Sequence, residues 1–460
     1  MKVTELRAMD VHGYLGLKVK FNADLTFITG LNGSGKTTAI ELLVALLTPS
    51  PEKFAATSFS SASVSAVEGE NEVVISASKR PDGVELSINT IAETLHLSSS
   101  DLQLMIESRK RDDHRGLRDE AFSPIQQKIE KNPTYQAIRE ISTPMFLGVD
   151  RRLSADWFRD NLAELRRRDY FMRRISRDEE LTKGINYGLA DVNYLVSERM
   201  QEIRAAQERL DEELRKKFFT RAFEYKPGDF RKGSKLPSRE ELERYKQSLN
   251  IIERAAEGLR LPVPELKAAL SEFLERMTEV VNALGATAGK QKGRGRQKET
   301  VTADDNFLQW VINKPQSDRI IEHLELLDAY VSDREALHAP INRFVTLING
   351  FLAQTKKVVS VASTGELEVF HGVTTEPRSI SALSSGERQL IIILGHLALN
   401  PNLEKSAVFI VDEPEISLHV AWQERFVDAV IEANPNVQYI LATHSPAIIL
   451  DRIENCSELN

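Results

Sequence analysis

The sequence contains one cysteine, Cys456, among 460 residues. A single thiol cannot form an intrachain disulfide or the paired-cysteine sites that hold structural zinc, so both scaffolds are excluded within one chain. Uninterrupted apolar runs are also short, well below the roughly 18 residues of a membrane-spanning helix. Residues 1–21 alternate charged and apolar side chains and lack the apolar core of a signal peptide. We therefore expect a cytoplasmic protein that does not enter a membrane.

The chain as a whole is not basic. The formal net charge is −8, which argues against a protein that coats nucleic acid over its entire surface. Charge is nevertheless segregated in residues 151–177, where nine arginines accompany four acidic residues. Two interpretations stay open: contact with nucleic acid or an acidic protein, or a solvated helix face balanced by distant acids.

The apolar pattern divides the chain into three parts. Residues 1–150 and 351–460 mix strand and helix patterns, whereas residues 151–350 are almost entirely helical. In the helical part, apolar residues repeat at seven-residue spacing over only about two heptads, which predicts a short antiparallel arm or a packed bundle. We therefore expect an α/β head with a mixed sheet, assembled from both ends of the chain and split by a long helical insertion.

Alternation and turn residues predict individual elements in the two outer parts. Strands are expected at 3–9, 15–21, 25–28, 72–77, 84–89, 144–149, 357–362, 366–370, 408–411 and 437–441, and helices at 36–47 and 390–399. Residues 79–83 place proline, aspartate and glycine in succession, which predicts a hairpin between the strands on either side.

A glycine-rich loop lies between a predicted strand and the helix that begins at Lys36. Residues 30–38 read GLNGSGKTT and satisfy the P-loop pattern GxxxxGK followed by Ser or Thr. Glycines let successive backbone N–H groups turn toward phosphate oxygens, and the positive end of the helix adds to this anion site. Lys36 is predicted to reach the β- and γ-phosphates of ATP, and Thr37 to offer its hydroxyl to Mg²⁺. The predicted nucleotide contacts are Asn32, Gly33, Ser34, Gly35, Lys36, Thr37 and Thr38.

An apolar strand that ends in two carboxylates has the Walker B arrangement. Residues 408–413 read VFIVDE. Asp412 is predicted to hold the Mg²⁺ shell, and Glu413 to polarise the attacking water. Alone, this segment would also suit an ordinary buried strand, but the P-loop in the same chain favours the catalytic interpretation.

A third motif precedes a long apolar helix. Residues 383–389 read LSSGERQ and resemble the LSGGQ signature of ABC ATPases, with Ser385 and Glu387 in place of its first glycine and its glutamine. Serine and backbone amides at a helix N-terminus form an anion site, so the candidate nucleotide contacts are Ser384, Ser385, Gly386 and Glu387. The same residues also suit a serine N-cap with Glu387 as its capping-box partner.

A lone histidine, His444, follows an apolar strand in the sequence LATHSP. A histidine in isolation is more often structural than catalytic. We expect this strand to lie parallel to the strand that ends at Asp412, which favours a catalytic role for His444.

With these four motifs in order, the chain resembles the ABC-type ATPases of the SMC/RecF/OLD group, in its OLD-like branch. The resemblance covers residues 1–150 and 350–455. It implies ATP and Mg²⁺ as cofactors, and a switch role for His444 at the γ-phosphate beside Glu413. It also implies that the signature contacts the ATP of a second head, so the chain should form a dimer of heads or a larger ring.

Two further details bear on this resemblance. The sequence EPEISLH, which begins at Glu413, resembles the D-loop of the OLD-like branch and would place Ser417 and His419 near the dimer contact. A clear Q-loop glutamine is missing, since residues 148–151 read GVDR.

The partner of this ATPase is inferred from the same resemblance. OLD nucleases continue past the switch histidine into a TOPRIM nuclease domain, whereas this sequence stops soon after His444. We therefore expect a separate nuclease subunit, as in the antiphage systems PARIS, with a TOPRIM-type partner, and Septu, with an HNH partner. The compact insertion looks most like the PARIS ATPase, which implies a sensor and scaffold that responds to a phage protein. The alternative is a DNA-repair ATPase of RecF type, with DNA across the paired heads.

Substitutions at Lys36 and Glu413 should abolish ATP hydrolysis by different routes. Lys36→Ala should abolish tight nucleotide binding, because the phosphates lose their fixed counter-charge. Glu413→Gln should still bind ATP and should trap the associated form. Nucleotide affinity and hydrolysis rate, measured on each variant, test this; a wild-type rate for Glu413→Gln would contradict the Walker B assignment.

Overall fold

The computed structural model describes residues 1–49, 51–104, 123–141, 144–148, 153–154, 185–223, 263–290, 300–372, 376–400, 403, 408–416 and 418–459. Contacts divide the chain into two units. The first, here called the head, comprises Met1–Arg199 and Ile341–Asn460, and the second, the helical unit, comprises Met200–Pro340. The head therefore includes residues 185–199 and 341–350, which the sequence analysis assigned to the insertion.

The elements are numbered here in chain order. The first part contains β1 (Lys2–Val11), β2 (Leu15–Lys20), β3 (Leu25–Thr29), α1 (Lys36–Leu47), α2 (Pro51–Ala56), β4 (Ser61–Glu68), β5 (Asn71–Arg80), β6 (Gly83–Ile88), β7 (Leu95–Ser98), α3 (Ser123–Glu130), α4 (Pro133–Ile141), β8 (Met145–Leu147) and β9 (Leu153–Ser154). Three long helices follow, α5 (Ile185–Ala222), α6 (Val263–Lys290) and α7 (Thr300–Leu352). The last part contains β10 (Lys357–Val361), β11 (Leu367–His371), α8 (Ser385–Leu399), β12 (Val408–Asp412), α9 (Val420–Ala433), β13 (Gln438–Ala442), α10 (Pro446–Ile449) and β14 (Cys456–Glu458).

Two six-stranded sheets form the head. One is antiparallel, in the order β2-β1-β4-β5-β6-β7, and it contains the predicted hairpin of β5 and β6. The other has the order β14-β3-β13-β12-β8-β9 and is parallel except for β9. It joins β3 from the start of the chain to β12 and β13 from the end. The predicted strands 357–362 and 366–370 form a separate two-stranded hairpin, β10–β11.

Helix α1 lies between the two sheets. It contacts β4 and β5 of the antiparallel sheet and β12 and β13 of the parallel sheet. Its residues Ile40, Leu43 and Leu46 are fully buried. A helix that is apolar over most of its surface is stable only when that surface is covered, and the two sheets provide this cover. The residues before α1 are thereby held where β3 ends.

Strand β12 is buried on both faces. All of its residues, VFIVD, are buried, and it pairs with β13 on one side and β8 on the other. Central strands of parallel sheets read as continuous apolar runs because both faces are covered. The expectation that the strand before His444 lies parallel to β12 is confirmed, since Val408 pairs with Gln438 and Asp412 with Ala442.

The side chain of Gln438 connects the two sheets. Its Oε1 accepts a hydrogen bond from the backbone N–H of Val3 at 2.7 Å, and its Nε2 donates to the carbonyls of Val3 and Asn22 at 2.7 and 2.8 Å. Gln438 is fully buried. Because buried polar groups are costly when unpaired, this amide fixes β1 against the start of β13.

The helical unit has its own apolar contacts. The fully buried Trp310 of α7 packs in a cluster with Met277, Val281 and Leu284 of α6. Within the same unit, Tyr330 and Val331 of α7 pack with Leu210 and Leu214 of α5, and the Tyr330 hydroxyl donates to Asp211 at 2.5 Å. Where residues are described, none of the helices is long and apolar enough to cross a membrane.

Several predicted features lie outside the described residues. These are the arginine-rich segment 151–177, apart from residues 153–154, the positions 149–151 after β8, and the D-loop residue Ser417.

Replacing Gln438 should destabilise the head strongly. Gln438→Leu leaves the N–H of Val3 and two carbonyls without partners, which should cost about 2–5 kcal/mol in free energy of unfolding. The matched control is Gln136→Leu at an exposed position, which should change that free energy by less than about 0.5 kcal/mol. Urea unfolding of both variants measures the difference; equal midpoints would contradict the structural role of Gln438.

Candidate functional site

The predicted P-loop, Walker B carboxylates and histidine meet at one edge of the parallel sheet. Strand β3 leads into the loop before Lys36, β12 ends at Asp412, and β13 is followed by Thr443 and His444. The three strands are neighbours and run in the same direction. Open parallel sheets bind ligands at the carboxyl ends of their strands, and this edge has that location.

The loop before α1 has the backbone shape of a phosphate cradle. Gly33 and Gly35 have φ angles of 86° and 91°, in the left-handed region that glycine tolerates. Lys36 is buried, and its Nζ donates to the carbonyls of Gly30 and Leu31 at 3.1 Å each. Burial lowers the pKa of Lys36, while the nearby carboxylates, with Glu413 foremost, act in the opposite direction. The ammonium is thus held at the loop, where phosphates would need it.

Asp412 and Thr37 fit a magnesium site. Asp412 is 3% exposed, and the nearby Thr37 hydroxyl acts to lower the pKa of its carboxyl group. Its Oδ1 is buried and has no hydrogen-bond partner among the residues that the structure describes. Burial raises the pKa of Asp412. Carboxylate and hydroxyl oxygens are ligands that Mg²⁺ accepts, and a buried carboxylate oxygen without a partner is accounted for by such an ion.

Glu413 has a strained backbone and a perturbed carboxyl group. Its φ angle is 51°, which is unusual for a residue other than glycine, and its N–H donates to the carbonyl of Ala442 at 2.9 Å. Burial, together with the charges of Glu415 and Asp412, raises the pKa of Glu413 to about 7, against the opposing effect of Lys36. Such strain is characteristic of functional positions, and a carboxyl group with this pKa can accept a proton near neutral pH.

His444 lies beside Glu413. Its Nε2 is 3.4 Å from Oε1 of Glu413. The sequence predicted both residues as catalytic, and the structure brings their side chains together. The imidazole is about one-third exposed, 35%, so a ligand at this edge can reach it.

Glu415 holds the histidine loop, and sequence reasoning gave it no role. Its Oε1 accepts from the backbone N–H groups of His444 and Ser445 at 2.8 and 3.1 Å, and its Oε2 accepts from the Thr443 hydroxyl at 2.8 Å. Ser445 Oγ also donates to Oε1 of Gln423 at 2.7 Å. The only sequence signal was the second glutamate of the EPE triplet, two residues after Glu413.

His12 is a second residue that the motifs missed. It lies in the turn between β1 and β2, and its Nε2 is 3.4 Å from Oγ1 of Thr38, a predicted nucleotide contact. His12 carries no motif of its own, so only the fold reveals its position.

His419, which the sequence predicted near the dimer contact, is the N-cap of α9. Its Nδ1 accepts a hydrogen bond from the N–H of Ala421 at 3.3 Å.

The signature forms a capping box at the start of α8. Ser384 Oγ accepts from the N–H of Glu387 at 3.4 Å, and Oε2 of Glu387 accepts from the N–H of Ser384 at 2.7 Å. Ser384 and Ser385 are exposed, whereas Gly386 and Glu387 are buried. This differs from the expectation that Glu387 contacts nucleotide, because its carboxylate is directed into the head toward Lys357.

Other metal chemistry has no site in the described part of the chain. No group of three or more histidine, cysteine, aspartate or glutamate residues there is arranged to hold a metal ion. The Thr37 and Asp412 oxygens remain the candidate ligands of a phosphate-bound cation.

A glycine loop before a buried helix and a carboxylate pair at the end of a parallel strand define a P-loop ATPase domain. The family model of the AAA ATPase domain matches residues 1–449. The chain therefore belongs to that family.

Two curated proteins are similar to short parts of the chain. The Retron Vc95 probable ATPase of Vibrio cholerae serotype O1 biovar El Tor is 38% identical over 80 residues, covering 15% of this chain and 16% of that protein. The Retron Ec83 probable ATPase of Escherichia coli is 30% identical over 79 residues, covering 15% of each. The chain thus spans about a sixth of the length of these curated relatives.

Solved structures of Smc head domains match over most of the chain, with low scores. A head with an extended coiled coil, bound to the C-terminal domain of ScpA and derived from Pyrococcus furiosus, has a TM-score of 0.39 and 13% identity over 97% of this chain and 91% of its own. A head with a coiled coil and joint from Pyrococcus yayanosii has a TM-score of 0.35 and 14% identity over 97% and 93%.

Removing the Glu415 carboxylate should reduce the hydrolysis rate more than nucleotide binding. Glu415→Ala frees the backbone of His444 and Ser445, so we expect kcat to fall about tenfold to a hundredfold. Binding to the P-loop should change little, because the hydrogen bonds of Glu415 come from the histidine loop and its charge has the smallest effect of the three carboxylates that act on Lys36. Glu415→Gln, which keeps an acceptor oxygen for the two N–H groups, should be intermediate.

The matched control is Glu424→Ala, at an exposed position of α9. Steady-state kinetics and nucleotide titration on all three variants check the prediction. A wild-type kcat for Glu415→Ala would show that the histidine loop holds its position without this carboxylate.

Proposed function

We propose that this chain is the ATP-hydrolysing subunit of an antiphage defence complex, in which it holds a separate nuclease in check and releases or activates it when a phage protein is sensed. The observation that carries the ATPase part is the meeting of Lys36, Asp412, Glu413 and His444 at one sheet edge. The defence part is supported by the two similar proteins that are named as retron ATPases.

The residues of the edge divide the chemistry between them. Lys36 and the loop amides bind the β- and γ-phosphates, and Thr37 and Asp412 hold Mg²⁺, which when bound neutralises phosphate charge. Glu413 accepts the proton of the attacking water, a role supported by its raised pKa of about 7. His444 orients that water and contacts the γ-phosphate.

A second copy of the chain completes the site in this proposal. Ser384, Ser385 and the backbone of Gly386 stand at the N-terminus of α8, where unpaired N–H groups favour anions. The side chains of the two serines are exposed, so they are available to the ATP of a partner head. The active form is therefore a head-to-tail dimer, or a larger ring closed by a second self-contact.

The nuclease partner is proposed by resemblance. A TOPRIM-type nuclease follows from the likeness to the PARIS ATPase, and an HNH nuclease from the likeness to Septu. The retron names of the two relatives support a defence setting without favouring either nuclease. The arginine-rich segment 151–177 is the proposed contact for an acidic phage protein.

The same basic segment is the observation that favours the alternative function. In a DNA-repair ATPase of RecF type it would contact DNA that lies across the paired heads. Duplex DNA would then accelerate ATP hydrolysis, with a steep dependence on salt because phosphate contacts release counterions.

Purification of the tagged chain from its native operon separates the two functions. The defence proposal predicts a stoichiometric co-purifying nuclease and ATP hydrolysis that duplex DNA leaves unchanged. Lys36→Ala is the matched control, since it removes hydrolysis and shows whether partner binding depends on nucleotide. An ATPase that purifies alone and is accelerated by duplex DNA would overturn the defence proposal in favour of the alternative.

A further inference from the structure

The carboxylate of Glu387 is directed into the head although it belongs to the signature. Its side chain is 1% exposed, while the neighbouring Ser384 and Ser385 are exposed. One of its bonds, from the N–H of Ser384, is the bond that a capping box requires. Its remaining hydrogen bonds are not part of a capping box.

Thr355 and Lys357 donate these remaining bonds. Thr355 Oγ1 donates to Oε1 of Glu387 at 3.0 Å, and Lys357 Nζ donates to Oε1 and Oε2 at 3.0 and 2.8 Å. The Lys357 side chain is 19% exposed, so the ion pair is largely removed from water. Burial acts to raise the pKa of Glu387, but Lys357, the Ser384 N–H and Thr355 together keep it below its ordinary value. Loss of Lys357 would leave the buried charge of Glu387 uncompensated.

Both donors directly follow α7. Thr355 ends the 3-10 turn Ala353–Thr355, and Lys357 begins β10. Asn349 of α7 also fixes β10, since its Oδ1 accepts from the N–H of Val359 at 2.7 Å and its Nδ2 donates to the carbonyl of Val359 at 3.0 Å. The end of α7, the start of β10 and the start of α8 therefore form one hydrogen-bonded group.

The middle of α8 packs closely against the start of α5. A Cβ atom on Gly395 would lie 2.5 Å from Cγ1 of Val192, and one on Gly188 would lie 2.8 Å from Cδ1 of Ile392. Contacts this close leave no room for a larger side chain. The signature helix α8 thus packs against the N-terminal part of α5 and is hydrogen-bonded to the segment that follows α7.

We infer that Glu387 is a positioning residue and not a nucleotide contact: paired with Lys357, it sets the backbone of Ser384 and Ser385 that faces the nucleotide of a second copy. This inference rests on the composite site of the proposed function. It explains why a glutamate stands where the usual signature has glutamine, because a neutral amide would leave the partly buried ammonium of Lys357 without a counter-charge. It also couples the signature to the end of α7, since movement of Thr355 or Lys357 moves the Ser384 amide.

Three variants test the pair: Glu387→Gln, Lys357→Met, and the two combined. Each single variant should lower kcat about tenfold or more, because the signature backbone is misplaced, while ATP affinity at the chain's own P-loop stays unchanged. The double variant removes both charges and should regain most of the lost kcat. The matched control is Glu213→Gln, which removes an exposed ion pair with Lys217 and should change neither quantity.

Other roles of Glu387 give different results. If Glu387 contacted nucleotide itself, Lys357→Met would keep wild-type kcat and the double variant would be no better than Glu387→Gln. If the pair only stabilised the fold, the melting temperature would fall, and kcat and ATP affinity would fall together with the folded fraction. Either pattern would overturn the inference.

Mixing experiments separate this inference from the proposed function. Lys36→Ala mixed with Ser384→Arg tests the composite site alone, and Lys36→Ala mixed with Glu387→Gln tests the pair. Random pairing into dimers should restore roughly a quarter of wild-type activity in each mixture, because half of the dimers then hold one intact site. ATP-dependent association, measured by light scattering in the Glu413→Gln background, gives a readout that needs no hydrolysis.

If the wild-type chain neither hydrolyses ATP nor associates with it, the proposed function fails and this inference fails with it. If the first mixture regains activity but Lys357→Met behaves as wild type in both assays, only the inference fails.

Discussion

Parallel hydrogen bonding among β3, β13 and β12 is the constraint on which the candidate site depends. Strand β13 pairs with β3 through Ala442 and Ile28, and with β12 through Ala442 and Asp412. This register brings the P-loop, the Walker B carboxylates and the histidine to the same level at one edge. Gln438 then fixes the opposite end of β13 to β1. A shift of one residue in the pairing of β12 with β13 would turn Asp412 to the other face of the sheet.

The edge that this register creates concentrates negative charge. Asp412, Glu413 and Glu415 lie around the ammonium of Lys36, and burial with mutual repulsion raises the pKa of Glu413 to about 7. The Glu415 carboxylate accepts three hydrogen bonds from the histidine loop, so the group that repels Glu413 also positions His444. The left-handed backbone of Glu413 adds strain at the same point. Charge repulsion and backbone strain of this kind are tolerated at sites that bind a cation and phosphates.

Helix α8 connects the signature serines to the rest of the head. Glycines at its crossing with α5 allow close packing, and the Glu387–Lys357 ion pair joins its first turn to the segment after α7. Both α5 and α7 continue along the chain into the helical unit. Within the head, packed and hydrogen-bonded groups thus connect the first residues of α5 and the last residues of α7 to Ser384.

Local patterns in the sequence determined ten of the strands, the helices α1 and α8, and the motif residues. The P-loop, α1, the hairpin of β5 and β6, and the strands before Glu413 and His444 were predicted because periodicity and glycine placement are set by near neighbours. Tertiary structure decided the contacts of Glu415, Lys357 and Gln438. Gln438 meets Val3 across 435 residues of chain, and Glu387 meets Lys357 across 30. No local preference encodes these contacts, because they form only once sheet register and helix packing have brought distant backbone segments together. The same packing directs the Glu387 carboxylate into the head, whereas its motif predicted a nucleotide contact.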